Sequence, residues 1–284
     1  MPGIVHRDVT ARGVRLRVVE EGDGPRVVLL HGLFADHRTW DGVRDKLKDS
    51  CRVIAPDLPG FGQSEIPPTS RFAYDIDAFS EALTDLYAGL ELGRAALVGH
   101  GLGAAVAMTV AARRPELVSH LVLIGAHAYT DGSRAEIRLS RAPLLGNLVF
   151  KQLVSRTLFR AYFRSRLLSP GARVENSEID ALYEAFNAPA ARGAALAALR
   201  ATQDTRPIIA CTGRIQTSTL VIWGSADAVY PAQLGHRLAR EIRGAGLELV
   251  DAGHLVPVER PARIAELIER FVFGERDGRI TPVR

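Results

Sequence analysis

The stretch LVGHGLGAAV, residues 97–106, joins an apolar strand pattern to a glycine-rich turn and the start of an alanine-rich helix pattern. In the G-x-S-x-G pattern that this turn resembles, the middle residue is a nucleophilic serine held between a strand and a helix. Here the middle residue is Gly101, which has no hydroxyl group to attack a substrate. The sequence therefore predicts the turn of a catalytic site without the side chain that usually reacts there.

Strand and helix patterns alternate on both sides of this turn. A half-exposed strand is predicted over 14–20, and unbroken apolar runs, typical of strands covered on both faces, predict more strands. These buried strands are 27–31, 95–99, 121–125 and 219–223, and a further strand is predicted at 247–251. The predicted helices are 76–90, 102–114, 231–243 and 261–273. Such alternation indicates right-handed β-α-β units in a doubly wound α/β sheet.

Residues 129–210 interrupt this alternation with a mainly helical pattern that contains no clear buried strand. We expect this insertion to form a helical cap over one end of the sheet. The core domain would then comprise residues 1–128 and 211–284.

Four ordered signals resemble the α/β-hydrolase superfamily, in its serine esterase and epoxide hydrolase-like branch. They are HGLFADHRTW (31–40), PDLPGFGQS (56–64), the turn at Gly101, and the pair WGSADAVYP (223–231) and DAGHLVPVERP (251–261). The resemblance covers nearly the whole chain outside the cap. It implies an α/β-hydrolase fold, with a mostly parallel sheet of about eight strands, a helical cap, and a site at the carboxyl ends of the strands.

The resemblance also implies roles for individual residues. Asp227 would orient His254 and stabilise its charge, and His254 would be the general base. The backbone amides of Leu33 or Phe34, together with the amide of Leu102, would form an oxyanion hole that binds developing negative charge.

Five further residues are assigned to substrate binding because they border the predicted site or belong to the cap. They are His31, His100, Phe150, Leu158 and Tyr162. We expect His100 to pack beneath the turn and His31 to hydrogen-bond to loop backbone.

Three interpretations of Gly101 stay open. The protein is a serine hydrolase inactivated by a serine-to-glycine change, a working enzyme without a covalent step, or a pseudoenzyme that uses the capped pocket as a receptor. We favour the second, because the acid, the histidine and the oxyanion turn each stabilise charge without a serine. It fits non-covalent hydrolysis or a proton-transfer reaction of the cyclase, epimerase or lyase type, on a small and largely apolar carbonyl compound.

The predicted cap contains a basic amphipathic segment. Seven basic residues and no acidic residue lie between Arg138 and Arg166, and Arg156, Arg160 and Arg164 share one helical face. One interpretation is a cap helix with a basic outer side. The other is a docking surface for an acidic partner, such as an acyl carrier protein, a coenzyme A thioester or an anionic membrane surface.

Composition excludes several other classes of protein. The net charge of +4 is too small to indicate nucleic-acid binding, and the apolar runs are shorter than a membrane span. The histidines lack metal-ligand spacing, and no motif requires a cofactor. We expect a cytoplasmic protein, because the two cysteines are widely spaced and the sequence has no signal-peptide pattern. We also expect a small-molecule substrate. The sequence does not indicate an oligomeric state.

Overall fold

The central element of the fold is an eight-stranded, mostly parallel sheet. The computed structural model describes residues 3–129 and 155–274, and within them the strand order is β1-β2-β4-β3-β5-β6-β7-β8. The strands are β1 (Val5–Ala11), β2 (Val14–Glu21), β3 (Arg26–Leu30), β4 (Arg52–Pro56), β5 (Ala95–His100), β6 (Val118–Ile124), β7 (Thr219–Gly224) and β8 (Gly246–Val250). The predicted α/β-hydrolase fold is thereby confirmed.

Helices connect the strands and cover the sheet. They are α1 (Asp41–Leu47), α2 (Ile76–Gly89), α3 (Leu102–Arg113), α4 (Arg156–Tyr162), α5 (Asn176–Asn187), α6 (Pro189–Ala201), α7 (Arg206–Thr212), α8 (Ala232–Glu241), α9 (Val256–Glu259) and α10 (Pro261–Phe273). Short 3₁₀ segments occupy His37–Trp40 and Pro115–Leu117, and a π-helical turn at Phe163–Leu167 continues α4. None of the helices described is long and apolar enough to cross a membrane.

The continuous apolar strands are buried on both faces, as their sequences predict. Along β3, Val28 and Leu30 belong to the larger core cluster, whereas Val27 and Leu29 belong to a second cluster on the opposite face. Helices α2 and α3 contribute to the first cluster, and α1 and α10 contribute to the second. Two helical layers therefore enclose the parallel part of the sheet.

Strand β1 was not predicted from the sequence. Among the strands of residues 3–129 and 155–274, it lies at the sheet edge and pairs with β2 alone, antiparallel, and its first four residues are exposed. A strand with so little burial needs no continuous apolar run, so VHRDVTA carries only a weak strand signal.

Between β6 and β7, the described residues from 155 onward form helices α4 to α7. Two contacts hold this part of the chain against the loop after β3. Arg38 donates from Nη2 to the carbonyl oxygen of Ala181 at 2.7 Å, and the rings of Phe34 and Phe186 meet edge to face at 5.4 Å. The division into a core domain and a 129–210 cap domain stays a prediction.

Candidate active site

The turn between β5 and α3 is built by three glycines with different steric requirements. A β-carbon on Gly99 would lie 2.4 Å from the carbonyl oxygen of Gly103, and one on Gly103 would lie 2.4 Å from that of Leu30. Both positions therefore require glycine. A β-carbon on Gly101 would lie 3.6 Å from the Cα of Gly32 and 3.7 Å from Nε2 of His254, which are ordinary contacts. The packing around position 101 thus leaves room for a side chain.

The backbone of Gly101 adopts a conformation that L-residues rarely occupy, with φ at 53° and ψ at −114°. Its amide donates to the carbonyl of Ile124 at 3.0 Å, and its own carbonyl accepts the amide of His127 at 3.0 Å. Glycine removes the strain that another residue would carry here, which is about 1–3 kcal/mol. Backbone hydrogen bonds to the end of β6 and to the loop after it therefore hold the turn in place.

His254 and Asp227 form a buried hydrogen-bonded pair beside Gly101. Nδ1 of His254 lies 2.8 Å from Oδ2 of Asp227, and the other carboxylate oxygen accepts the amides of Val229 and Tyr230 at 2.7 and 2.8 Å. A carboxylate can only accept, so Nδ1 carries a proton, and in the neutral imidazole the lone pair is on Nε2. The pair therefore directs a proton acceptor at the space above Gly101.

His100 supports His254 from beneath. Its Nε2 donates to the carbonyl oxygen of His254 at 3.0 Å, and the two rings lie 4.7 Å apart. Burial, followed by the charge of the neighbouring imidazole, lowers the pKa of His100 to about 3. His100 is therefore neutral at physiological pH, so it adds no positive charge beside an imidazolium at His254.

The predicted oxyanion residues lie on the two loops that meet at Gly101. Gly32, whose Cα faces position 101, immediately precedes Leu33 and Phe34. Phe34 has a φ of 60°, an uncommon value for a residue with a side chain. Leu102 is the first residue of α3, so its amide has no acceptor within the helix. The arrangement is compatible with an oxyanion hole, whose role stays a proposal.

The residues predicted to bind substrate have diverse surroundings. His31 is fully buried, with Nδ1 2.8 Å from the carbonyl oxygen of Gly32 and Nε2 accepting the amide of Leu58 at 2.9 Å. His100 is also buried, and these contacts indicate that both histidines support loops beneath the site. A side chain without exposed surface needs a rearrangement before it can touch a substrate.

The predicted cap contacts also differ from one another. Leu158 is 59% exposed, so it lies at the protein surface and not in an enclosed apolar pocket. Tyr162 is half-buried, and Phe150 lies outside the described residues. Substrate binding by these three residues stays a prediction.

Two residues near the site were missed by the sequence analysis. The hydroxyl group of Tyr230 and Nδ1 of His127 lie 2.5 Å apart, and the Tyr230 ring meets the His254 ring edge to face at 5.3 Å. Nε2 of His127 donates to the carbonyl of Thr202 at 2.8 Å, so Tyr230 must be the donor to Nδ1. In the sequence, the only sign that these two residues lie near the site is their position shortly after β6 and β7.

A second histidine–carboxylate pair lies under the loop that follows β3. The carboxylate of Asp57 accepts the amide and Nδ1 of His37, both at 2.8 Å, and also accepts the amide of Gln63 at 2.8 Å. Donor atoms of Asp36, His37 and Asp57 lie within 4.8 Å of one another, the spacing of a possible metal site. Asp36 is engaged by Arg38 at 2.6 Å, however, so these groups fit a hydrogen-bond network better than a metal site.

This pair predicts a pH-dependent stability. Burial lowers the pKa of His37, but the hydrogen bond to Asp57 and nearby carboxylates outweigh burial and raise it above 6.5. A histidine whose pKa is higher in the folded than in the unfolded protein stabilises the fold fully at pH values below its unfolded-state pKa. This stabilisation is lost as the pH rises through the folded-state pKa. The His37→Asn substitution should therefore cost about 2–3 kcal/mol of unfolding free energy near pH 6 and less near pH 9.

Urea unfolding of the two proteins at both pH values measures this difference. An equal loss at the two pH values would mean that the charge of His37 contributes nothing to stability. Replacing the exposed His236 with asparagine is the matched control, and it should change stability little at either pH.

Three basic residues of α4 and the π-helical turn have partners within the helical segment that follows residue 155. Arg160 donates from Nε to Asp180 at 2.6 Å, and Arg164 donates to the carbonyl of Val174 at 2.8 Å. Arg156 forms ion pairs with Asp180, at 3.8 Å, and with Glu184. These internal contacts favour a cap helix with a basic outer side over a docking surface. The basic residues from Arg138 to Lys151 lie outside the described residues.

Comparison with known proteins places this geometry among hydrolases. A sequence model of the alpha/beta hydrolase family matches residues 27–267. The chain is 30% identical to 2-hydroxymuconate semialdehyde hydrolase of Pseudomonas sp. strain CF600, over 94% of each protein. It is 32% identical to haloalkane dehalogenase 2 of Mycobacterium tuberculosis, over 92% of this chain and 93% of that protein. A solved esterase of Thermogutta terrifontis has a TM-score of 0.80 at 25% identity, over 95% of this chain and 98% of that chain.

Proposed function

The chain belongs to the alpha/beta hydrolase family, and on this basis we propose that it is an enzyme acting on a small, largely apolar carbonyl compound without a covalent intermediate. His254 is the general base and Asp227 its orienting acid. The amides of Leu33, Phe34 and Leu102 bind the developing oxyanion. The substrate class comprises esters, thioesters and ketone-like compounds.

One observation carries this proposal. The Nε2 lone pair of His254 faces a space at Gly101 that would hold a side chain at ordinary contact distance. With glycine there, the space is available to a water molecule or to a substrate atom. A proton acceptor aimed at such a space suits direct proton abstraction.

Two reaction types use this arrangement. In hydrolysis, Nε2 takes a proton from water, the water oxygen bonds to the carbonyl carbon, and the carbonyl oxygen becomes an oxyanion at the backbone amides. The imidazolium then returns the proton to the leaving group as the bond to that group breaks. In a proton-transfer reaction, Nε2 takes a proton from the carbon beside the carbonyl, and the amides bind the enolate oxygen. Asp227 stabilises the imidazolium in both.

Two of the three relatives named above support a carbonyl substrate, whereas the third is named as a haloalkane dehalogenase. One similar protein is named as a semialdehyde hydrolase and another as an esterase. Aromatic side chains also pack where the oxyanion loop meets the cap, since Phe186 contacts Phe34 and stacks on Phe159 at 5.9 Å. Apolar walls with few polar groups suit a hydrophobic substrate. A thioester substrate is either free or attached to coenzyme A or a carrier protein, and the proposal requires no cofactor.

A second candidate function is that of an inactivated serine hydrolase. The room at position 101 and its positive φ favour it, because both match the turn that carries the serine in the G-x-S-x-G pattern. A receptor without catalysis is the third interpretation, and it requires binding of the same compounds without turnover.

A substrate panel tests these alternatives. The protein is mixed with activated short-chain and medium-chain esters and thioesters, and hydrogen–deuterium exchange is followed beside the carbonyl of unreactive ketones. We expect turnover or exchange with no initial burst of released alcohol or thiol. A burst would contradict the non-covalent mechanism. Binding of these compounds without turnover or exchange would contradict the proposed enzymatic function.

A further inference from the structure

The loop that carries His254 is fastened to the cap by a single carboxylate. Glu259, at the end of α9, accepts the amide of Gly253 through Oε1 at 2.8 Å. The same carboxylate accepts the amide of Ser169 at 3.1 and 3.2 Å and the hydroxyl group of Ser169 through Oε2. Glu259 therefore joins the residue before His254 to a cap residue far away in the sequence.

The backbone on the other side of His254 is joined to the same part of the cap. The amide of Leu255 donates to the carbonyl of Leu167 at 2.9 Å. A β-carbon on Gly253 would lie 2.5 Å from the backbone nitrogen of Ser169, so this close approach requires glycine. Leu255 thus bonds directly to the segment 167–169, and Gly253 is joined to the same segment through Glu259. We refer to these contacts as the cap clamp.

The cap clamp begins where α4 ends. The π-helical turn Phe163–Leu167 follows α4 and supplies the carbonyl of Leu167. Single π-helical turns inside helices are rare and are frequently found at functional sites. A shift of α4 would therefore displace the backbone before and after His254, whereas Asp227 contacts only the imidazole side chain.

The donors to Glu259 make this contact strong. Among the described residues, Glu259 has no cationic side chain as a partner, and its carboxylate accepts only amide and hydroxyl groups. Hydrogen bonds to a charged acceptor are roughly twice as strong as neutral ones. Removing the charge should therefore loosen the loop without breaking an ion pair.

We propose that Glu259 is a positioning residue, which couples the placement of the His254 imidazole to the cap through Ser169. The effect on rate rests on the proposed function of His254 as the base. The effect on the position of His254 does not.

Substitutions of unequal severity test this proposal. Glu259→Gln keeps the shape of the side chain but turns one acceptor oxygen into a donor facing the same amides. Ser169→Ala removes only the hydroxyl contact, so it carries the test if Glu259→Gln fails to fold. The control is Glu266→Gln on α10, because Glu266 is exposed and pairs only with Arg263 among the described residues.

Two readouts separate positioning from general stability. The first is the proton resonance of His254 Nδ1–H, which reports its bond to Asp227 and needs no substrate. The second is the split between kcat and KM on the best substrate of the panel. We expect Glu259→Gln to shift the resonance and to lower kcat about tenfold with a smaller change in KM. Ser169→Ala should act in the same direction but less strongly, and the control should change neither.

Some outcomes would overturn the proposal. An unchanged resonance in Glu259→Gln, with only a lower melting temperature, would show that the cap clamp is merely structural. If Glu259→Gln fails to fold, an unchanged resonance in Ser169→Ala would have the same meaning. A shifted resonance together with a rate that does not depend on His254 would keep the positioning role and remove the proposed function instead.

Discussion

Replacing His254 with alanine is expected to lower kcat by about 10³-fold on any substrate that the protein turns over. The reason is that Nε2 is the proton acceptor aimed at the space above Gly101, and without a serine the site has no covalent route to compensate. Steady-state kinetics of the purified variant measures the loss. Replacing the exposed His236 in the same way should leave kcat unchanged.

The Asp227→Asn variant refines the same prediction. Asparagine keeps the size of the side chain, but its amide group can donate to Nδ1, which reverses the tautomer and turns the Nε2 lone pair into an N–H group. We therefore expect kcat of Asp227→Asn to fall by about 10²-fold or more.

For the His254→Ala variant, full activity would show that catalysis occurs elsewhere in the protein.

The second large effect is a new reaction in the Gly101→Ser variant, the formation of an acyl-enzyme. The new hydroxyl group would lie one bond beyond a β-carbon that is 3.7 Å from Nε2 of His254, within reach of the base. Activated esters should then release about one equivalent of alcohol in a burst, because an acyl-enzyme accumulates. Serine at this position must adopt the left-handed φ of 53°, so the unfolding free energy of Gly101→Ser should also be lower by about 1–3 kcal/mol.

Gly101→Ala is the matched control for this gain. Alanine imposes the same backbone strain and occupies the same space, but it has no hydroxyl group. Both variants should lose the original non-covalent reaction, because each side chain fills the space above Gly101, and only serine should produce a burst. Equal behaviour of the two variants would show that the turn does not support nucleophilic attack.

Much of the fold was predictable because its signals are local. Continuous apolar runs marked β3, β5, β6 and β7, and a three-to-four-residue spacing marked α2. The Gly-rich turn, Asp227 and His254 stood out for the same reason, since each lies in a short motif after a strand. Burial on both faces of β3 is the physical basis of that signal.

The remaining features depend on contacts between distant parts of the chain. Glu259 reads as an ordinary helix-end glutamate until folding brings Ser169, ninety positions earlier, against it. His127 and Tyr230 likewise meet only because β6 and β7 are adjacent in the sheet. Arg156 on the basic face of α4 pairs with Asp180 and Glu184 of α5, and no local sequence pattern predicts that pairing, so the sequence alone left a docking surface as an open interpretation.

The central claim is that His254 and Asp227 act directly on water or substrate, with no acyl-enzyme at position 101. The most direct test mixes the protein with its best ester or thioester, quenches with acid during turnover, and measures the intact mass, in parallel with His254→Ala. We predict turnover that requires His254 while the protein mass stays unchanged at every time point. A mass increase equal to the acyl group, or turnover that survives the loss of His254, would contradict this account.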